Sequence, residues 1–188
     1  LDDIIVFSIT PSEHMAHLDA GFHRLYRAGL TLNLKKCHFF KETVDYLGHV
    51  IRPGHLSVAE KNTAALKVAK HPTTQTELRS FLGLCNVYRR FVKGFSKIAA
   101  PLNLLLRKGE TPQLGPLSSE QVSAFETLRD ALFNPPILAL PRLEGTFTLD
   151  TDASDHQLGC CLLQTQPDGS QRPIGYWSRA LTNAEKNY

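Results

Sequence analysis

The run Leu1-Asp2-Asp3-Ile4-Ile5-Val6-Phe7-Ser8 sets two adjacent carboxylates directly before an apolar, β-branched stretch. Ile4 to Phe7 reads as a buried strand. Successive strand residues face opposite ways, so a turn at the strand start is needed to aim Asp2 and Asp3 at one metal centre. Hard cations such as Mg²⁺ take carboxylate oxygens together with substrate phosphates. An Asp-Asp pair leading into a strand therefore suits half of a two-metal phosphoryl-transfer site. By itself such a pair more often marks a turn or an N-cap.

Other reactive side chains offer less. His14 and His17 stand one helical turn apart, with His23 beyond, a spacing open to Zn²⁺. No Cys or acid completes a ligand set, so a structural role is expected for all three. Cys37, Cys85, Cys160 and Cys161 show neither ligand spacing nor a disulfide pattern. Buried free thiols in a reducing compartment are the expectation, with adjacent Cys160 and Cys161 facing opposite sides of a strand. The chain holds no G-x-S-x-G elbow, P-loop or G-x-G-x-x-G, which leaves an unrelated α/β hydrolase unsupported.

Charge is unevenly divided. Residues 1–111 carry 16 Lys/Arg against 9 Asp/Glu, whereas residues 112–188 carry 5 against 9. Within 61–97 there are eight basic residues and one acid, Glu77. Such a cluster suits phosphate contact, although a solvated helical face has the same composition. With 188 residues, 42% of them hydrophobic, the chain can bury one large core or two small ones. It has no apolar stretch long enough to span a bilayer and no signal peptide, which points to an intracellular, cytoplasmic or particle-associated protein without membrane contact.

The elements that must position these groups follow from periodicity. A strand over 1–8 is expected, then a helix capped by Ser12 and stopped at Gly29. A short strand is expected at Leu30 to Leu34, and a hairpin through Cys37–Phe40 and Val44–Ile51. Residues 57–108 read as three helices: Ala59 to Ala69, a second opened by the Thr74-x-x-Glu77 capping box and running to about Phe91, and Lys97 to Leu106 with Pro101 near its first turn. Residues 109–117 read as a linker. Ser118-x-x-Gln121 opens a further helix, and Thr146–Asp150, Leu158–Gln164 and Ile174–Ser178 read as strands with a Pro167-Asp168-Gly169 turn between the last two. A third capping box, Thr182-x-x-Glu185, follows.

Seven blocks in order resemble the reverse transcriptase of gypsy-type LTR retrotransposons. They include L-D-D-I-I-V-F-S, L-Y-R-A-G-L-T-L-N-L-K-K-C-H-F, V-D-Y-L-G-H-V-I, T-E-L-R-S-F-L-G-L-C-N-V-Y-R-R-F, F-T-L-D-T-D-A-S-D-H-Q-L-G-C-C-L-L-Q and P-I-G-Y-W-S-R-A-L-T-N-A-E-K-N-Y. The resemblance implies an α/β (α+β) chain. Its parts would be the C-terminal half of a palm (1–56), a helical thumb (57–108), a linker and connection helix (109–141), and the first strands of a ribonuclease H-like mixed sheet (142–188). It also implies a fragment of a longer Pol polyprotein, with upstream and downstream parts as partners.

In that family two metals held by palm carboxylates drive polymerisation. Asp2 and Asp3 match the paired two, and the third lies upstream. Asp152 matches the first ribonuclease H carboxylate, with Asp150 and Asp155 as structural neighbours. Mg²⁺ is implied as cofactor, with Mn²⁺ as a substitute. Tyr46, Leu47 and Gly48, followed by His49, match the hairpin that holds the primer end. The helix 77–91 matches the thumb helix that tracks the duplex, which makes Arg89 and Arg90 candidates for backbone contacts. At helical spacing Arg79, Asn86, Arg90 and Lys93 could share one solvent-facing side, and Lys35 and Lys36 could touch phosphate or simply be exposed. The implied partners are an RNA template, a DNA primer and an RNA–DNA hybrid. The 188 residues alone are expected to be inactive, because each carboxylate set is incomplete. His71 and Gly115 or Leu117 stand where the family usually has tryptophans, and Val87-Tyr88 replaces paired aromatics. These departures fit a diverged copy. The alternative reading is a non-catalytic remnant that binds nucleic acid or a protein partner.

Overall fold

In the computed structural model, residues 3–107 and 112–187 are described, and the chain divides into two compact units, Leu1–Pro53 and Gly54–Tyr188. Leu1 and Asp2 therefore lie outside the described residues, as does part of the expected 109–117 linker. Within the first unit, helix α1 spans Pro11–Arg27. Its cap is Thr10 rather than Ser12. The Thr10 hydroxyl accepts the Glu13 amide at 3.2 Å, and Glu13 accepts the Thr10 amide at 3.1 Å. A Thr-Pro-x-Glu order outcompetes Ser12, because Pro11 is suited to the first helical position and Glu13 closes the box. At the other end Gly29, at φ +68°, lets the Leu30 amide reach back to the Leu25 carbonyl at 3.0 Å.

Two expected strands do not form. Residues 4–7 carry no regular structure, and Ile4 and Phe7 are exposed. β-propensity needs a neighbouring strand to become a ladder, and none of the described strands pairs there. Leu30–Leu34 is likewise not a strand; Asn33 accepts the Lys35 amide at 3.1 Å and opens a 3₁₀ turn over Leu34–Lys36. The hairpin is real but starts later than expected: β1 (Val44–Tyr46) pairs antiparallel with β2 (His49–Arg52).

The second unit opens with β3 (His55–Val58), which pairs antiparallel with the two-residue β4 (Leu138–Ala139) through buried Leu56 and Leu138. β3 spans the 56/57 boundary read from sequence. Helices α2 (Glu60–Lys67), α3 (Gln75–Val87), α4 (Phe95–Leu104) and α5 (Ser119–Phe133) build the core. All three expected capping boxes form, Thr74 with Glu77, Ser118 with Gln121 and Thr182 with Glu185. The second helix ends at Val87, short of Phe91. Tyr88, Phe91 and Val92 are buried, and a 3₁₀ turn over Arg89–Phe91 takes the chain inward. α4 then starts at Gly94, in the left-handed region at φ +68°, so Pro101 falls inside the helix rather than in its first turn.

Three longer strands complete the unit: β5 (Phe147–Ala153), β6 (Gln157–Thr165) and β7 (Gln171–Ala180), antiparallel in that order. Asp168 accepts the Ser170 amide at 2.9 Å in the expected turn between the last two. Of the four free cysteines only Cys85 is buried, and burial pushes its thiol up to about 12. Cys37, Cys160 and Cys161 are half-buried, a correction to the uniform burial read from composition.

His71, which stands where the family usually has a tryptophan, lines one cleft of about 360 Å³ with Gly115 and Leu117, the two candidates for a second such position, and with Pro72, Thr73 and Val122. The His71 ring meets Phe125 edge-on at 5.1 Å. A larger ring there has space to fill and an aromatic to pack on. His71→Trp is expected to stabilise the chain by about 0.5–2 kcal/mol, read as a higher urea midpoint at unchanged slope. A lower midpoint would show that the cleft cannot accept an indole.

Candidate functional site

Two adjacent residues with positive φ shape the hairpin loop. Tyr46 faces His49 across the ladder, leaving Leu47 at φ +47° and Gly48 at φ +81° as the whole connection. Positive φ at both central residues is the type I′ geometry that matches strand twist, and it favours Asn-Gly. Leucine in the left-handed region costs about 1–2 kcal/mol. The His49 ring donates from Nδ1 to the Leu47 carbonyl at 3.0 Å and braces the turn. Leu47 itself is 54% exposed, so packing does not explain its presence. Leu47→Asn is expected to stabilise the hairpin unit by roughly 0.5–1 kcal/mol. Denaturant titration checks this, and a loss of stability would show that the leucine side chain is held by something other than strain.

The same hairpin reaches Asp3. The Tyr46 hydroxyl donates to the Asp3 main-chain carbonyl at 3.2 Å. Asp3 is exposed, and Asp2 lies outside the described residues. Lys35 and Lys36 are exposed on their 3₁₀ turn. Ser8 hydroxyl lies 3.2 Å from His14 Nδ1 and 2.8 Å from His17 Nδ1, which ties both rings to a local serine.

In the second unit Asp152 sits near the end of β5, exposed, directly opposite Gly159 on β6. Asp150 shares its strand face and stands opposite Cys161. Burial raises the Cys161 thiol, Asp150 adds to that, and the Lys93 ammonium opposes it. Glu185 is held apart from this group. Arg179 donates to both of its oxygens at 2.8 and 2.6 Å, Thr182 donates from its amide, and these bonds hold the carboxyl down at about 2. Among the described residues no three His, Cys, Asp or Glu side chains gather as a metal cluster. What is present is oxygen donors of the right chemistry for a hard cation, among them the candidate Asp3 exposed in the first unit and the candidate Asp152 exposed in the second.

The basic residues separate into two groups. Arg79 donates to Gln75 at 2.7 Å, and Gln75 in turn donates to the Leu105 carbonyl at 2.9 Å. Arg89 donates to Asn86 at 3.3 Å and to the Ser178 carbonyl, with its guanidinium 5.4 Å from the Phe95 ring centre. Arg90 donates to the Ile174 carbonyl at 3.1 Å, and burial lowers its pKa. The shared solvent face expected for Arg79, Asn86, Arg90 and Lys93 is not formed, because α3 stops before Arg90. Lys61, Lys67, Lys70, Lys93 and Lys97 remain exposed. Sequence reasoning missed Gln164 and Ser178, both buried polar residues of the sheet. Their only signal was position inside the L-L-Q and Y-W-S-R blocks.

The described chain thus combines a braced hairpin bonded to Asp3 with a helical block joined to an antiparallel sheet that carries an exposed aspartate on its first strand. Residues 1–51 match the family described as reverse transcriptase (RNA-dependent DNA polymerase), and residues 117–188 match the RNase H-like domain found in reverse transcriptase. The chain is a reverse transcriptase–ribonuclease H segment of the retroelement Pol type. Over its whole length it is 37% identical to a retrovirus-related Pol polyprotein from transposon 297 of Drosophila melanogaster and 33% identical to the transposon Tf2-3 polyprotein of Schizosaccharomyces pombe. It spans 17% and 14% of those relatives' lengths. The foamy viral protease–reverse transcriptase solved with an RNA/DNA hybrid superposes over 96% of this chain and 24% of its own, with a TM-score of 0.79 at 29% identity. The same enzyme solved with dsDNA gives 0.78 at 30% identity, over 97% of this chain and 38% of its own. The second family match begins at residue 117 and so includes α5.

Proposed function

We propose that this chain is the primer-holding end, thumb and nuclease-sheet part of a gypsy-type reverse transcriptase, acting on an RNA template, a DNA primer and their hybrid. The observation that carries this reading is the Tyr46-Leu47-Gly48-His49 turn, kept strained and bonded to Asp3. Such strain persists where backbone must be presented in a set shape, and Gly48 admits close approach of a sugar-phosphate. Asp2 and Asp3 would hold Mg²⁺ or Mn²⁺ at the polymerase centre, and Asp152 would hold it at the nuclease centre. The ion would supply positive charge to the transferring phosphoryl group. Tyr46 fixes the Asp3 backbone, while the Leu47–Gly48 peptide presents the hairpin tip. Lys35, Lys36, Arg79, Asn86 and Lys93 supply duplex contacts, joined by exposed Lys97. Arg89 and Arg90, with protein carbonyls as partners, leave this group. No helix of the described residues is long and apolar enough to cross a membrane.

A salt titration of binding to an RNA–DNA hybrid tests the reading. Three to five neutralised phosphates give a log–log slope of about −3 to −5. Lys93→Ala with Lys97→Ala should flatten it by about one to two units and leave sequence preference absent. A slope near zero in the unaltered chain would return the basic segment to a solvated helical face.

A further inference from the structure

Strand β7 is an edge of the β5-β6-β7 sheet, and the helical block fastens onto it at three points. Arg89 donates to the Ser178 carbonyl and Arg90 to the Ile174 carbonyl, four residues apart on the same strand. The third point is the Ser178 side chain. It is 7% exposed, and its hydroxyl accepts the Ser96 amide at 2.9 Å while lying 3.2 Å from the Ser96 hydroxyl. Ser96 belongs to the first turn of α4, where amides lack helical partners and the N-cap Gly94 makes no side-chain bond. The sheet therefore caps a helix of the other block.

The ladder gives this contact its reach. Asp152 stands opposite Gly159, and Gly159 stands opposite Ser178. Candidate carboxylate, glycine and capping serine occupy one rung, about two strand spacings across. A displacement of Ser178 relative to α4 is thus carried straight to Asp152.

We propose that Arg89, Arg90 and Ser178 are positioning residues that lock the sheet bearing Asp152 to the thumb helices, and so set where the RNA strand of a hybrid is cut relative to the primer end. This rests on the function proposed above. The lock explains why two arginines in a basic segment turn inward to main-chain carbonyls. Carbonyl acceptors on an edge strand require a directed donor, which a guanidinium supplies and a point charge supplies less well.

Two measurements decide it. In the 188-residue chain, hydrogen exchange of the Ser96 amide should be at least about tenfold faster in Ser178→Ala, since its acceptor is gone, and Ser178→Thr should restore protection. In the full-length parent polyprotein, cleavage products of a hybrid with a recessed primer should lie at one main distance from the primer end. Ser178→Ala should spread them over several neighbouring positions while extension proceeds at the unaltered rate. Arg90→Lys, which keeps the charge, should spread them too, and it serves if Ser178→Ala fails to fold. Unchanged Ser96 exchange overturns the lock. A uniformly slower cut at unchanged positions overturns its positioning role. A parent that cuts no hybrid refutes the proposed function, and with it the register claim, while the exchange result still decides the lock.

Discussion

Asp152→Asn in the full-length parent polyprotein is expected to lower hybrid cleavage by more than roughly 100-fold while primer extension persists. Loss of a residue that merely supports a metal ligand costs about 10- to 100-fold, and loss of a ligand itself should exceed that. The substitution keeps size and polarity and removes one anionic oxygen donor. Asp152 is exposed and its register with Gly159 is set by a seven-pair ladder, so the fold has no reason to respond. Asp3→Asn should show the opposite pattern, with extension lost and cleavage kept. Equal loss of both activities in either variant would indicate misfolding. If Asp150→Asn abolished cleavage and Asp152→Asn did not, the ligand would be the residue opposite Cys161 instead.

The largest loss of stability is expected at Gln164. It is fully buried, and its amide makes three bonds to one loop: it accepts from the Arg142 amide and donates to the Arg142 and Glu144 carbonyls, each at 2.9 Å. These bonds fold the entry to β5 against β6. Gly145 completes the turn at φ +104°, where an added Cβ would stand 2.8 Å from the Thr165 carbonyl oxygen. Gln164→Leu keeps the volume and strands up to three main-chain groups away from water. At about 1–3 kcal/mol per unsatisfied group, with partial rescue by water, the expected cost is about 3–5 kcal/mol. Chemical denaturation measures it. A cost below about 1 kcal/mol would mean that the loop finds other partners or is held by its neighbours.

The sequence carried the helices and the long strands because their signals are local. Capping boxes at Thr74 and Ser118 need only four residues, and β5 to β7 announce themselves by alternation around a Pro-Asp-Gly turn. What failed depended on partners elsewhere in the chain. Ile4–Phe7 has strand composition without a described strand beside it. β4 is two residues long and exists because β3 is there to meet it. Arg89 and Arg90 read as surface charge, since nothing local reveals that Tyr88 and Phe91 turn that segment inward. The candidate carboxylates were legible from motif order. The buried polar residues of the same sheet, Gln164 and Ser178, were not, because a buried glutamine or serine has no periodic signature.

The β3–β4 pairing has a consequence for how the chain is made. Leu56 meets Leu138, about 80 residues later in the chain. At about 5–20 residues per second, a ribosome delivers the second partner on the order of ten seconds after the first. During that interval Leu56, buried in the finished fold, lacks its β4 partner. The helices between can form locally, but their sheet closes only after α5 has left the exit tunnel. A nascent chain paused before residue 138 should therefore bind chaperones through the 55–58 segment and release them once the following twenty or so residues emerge.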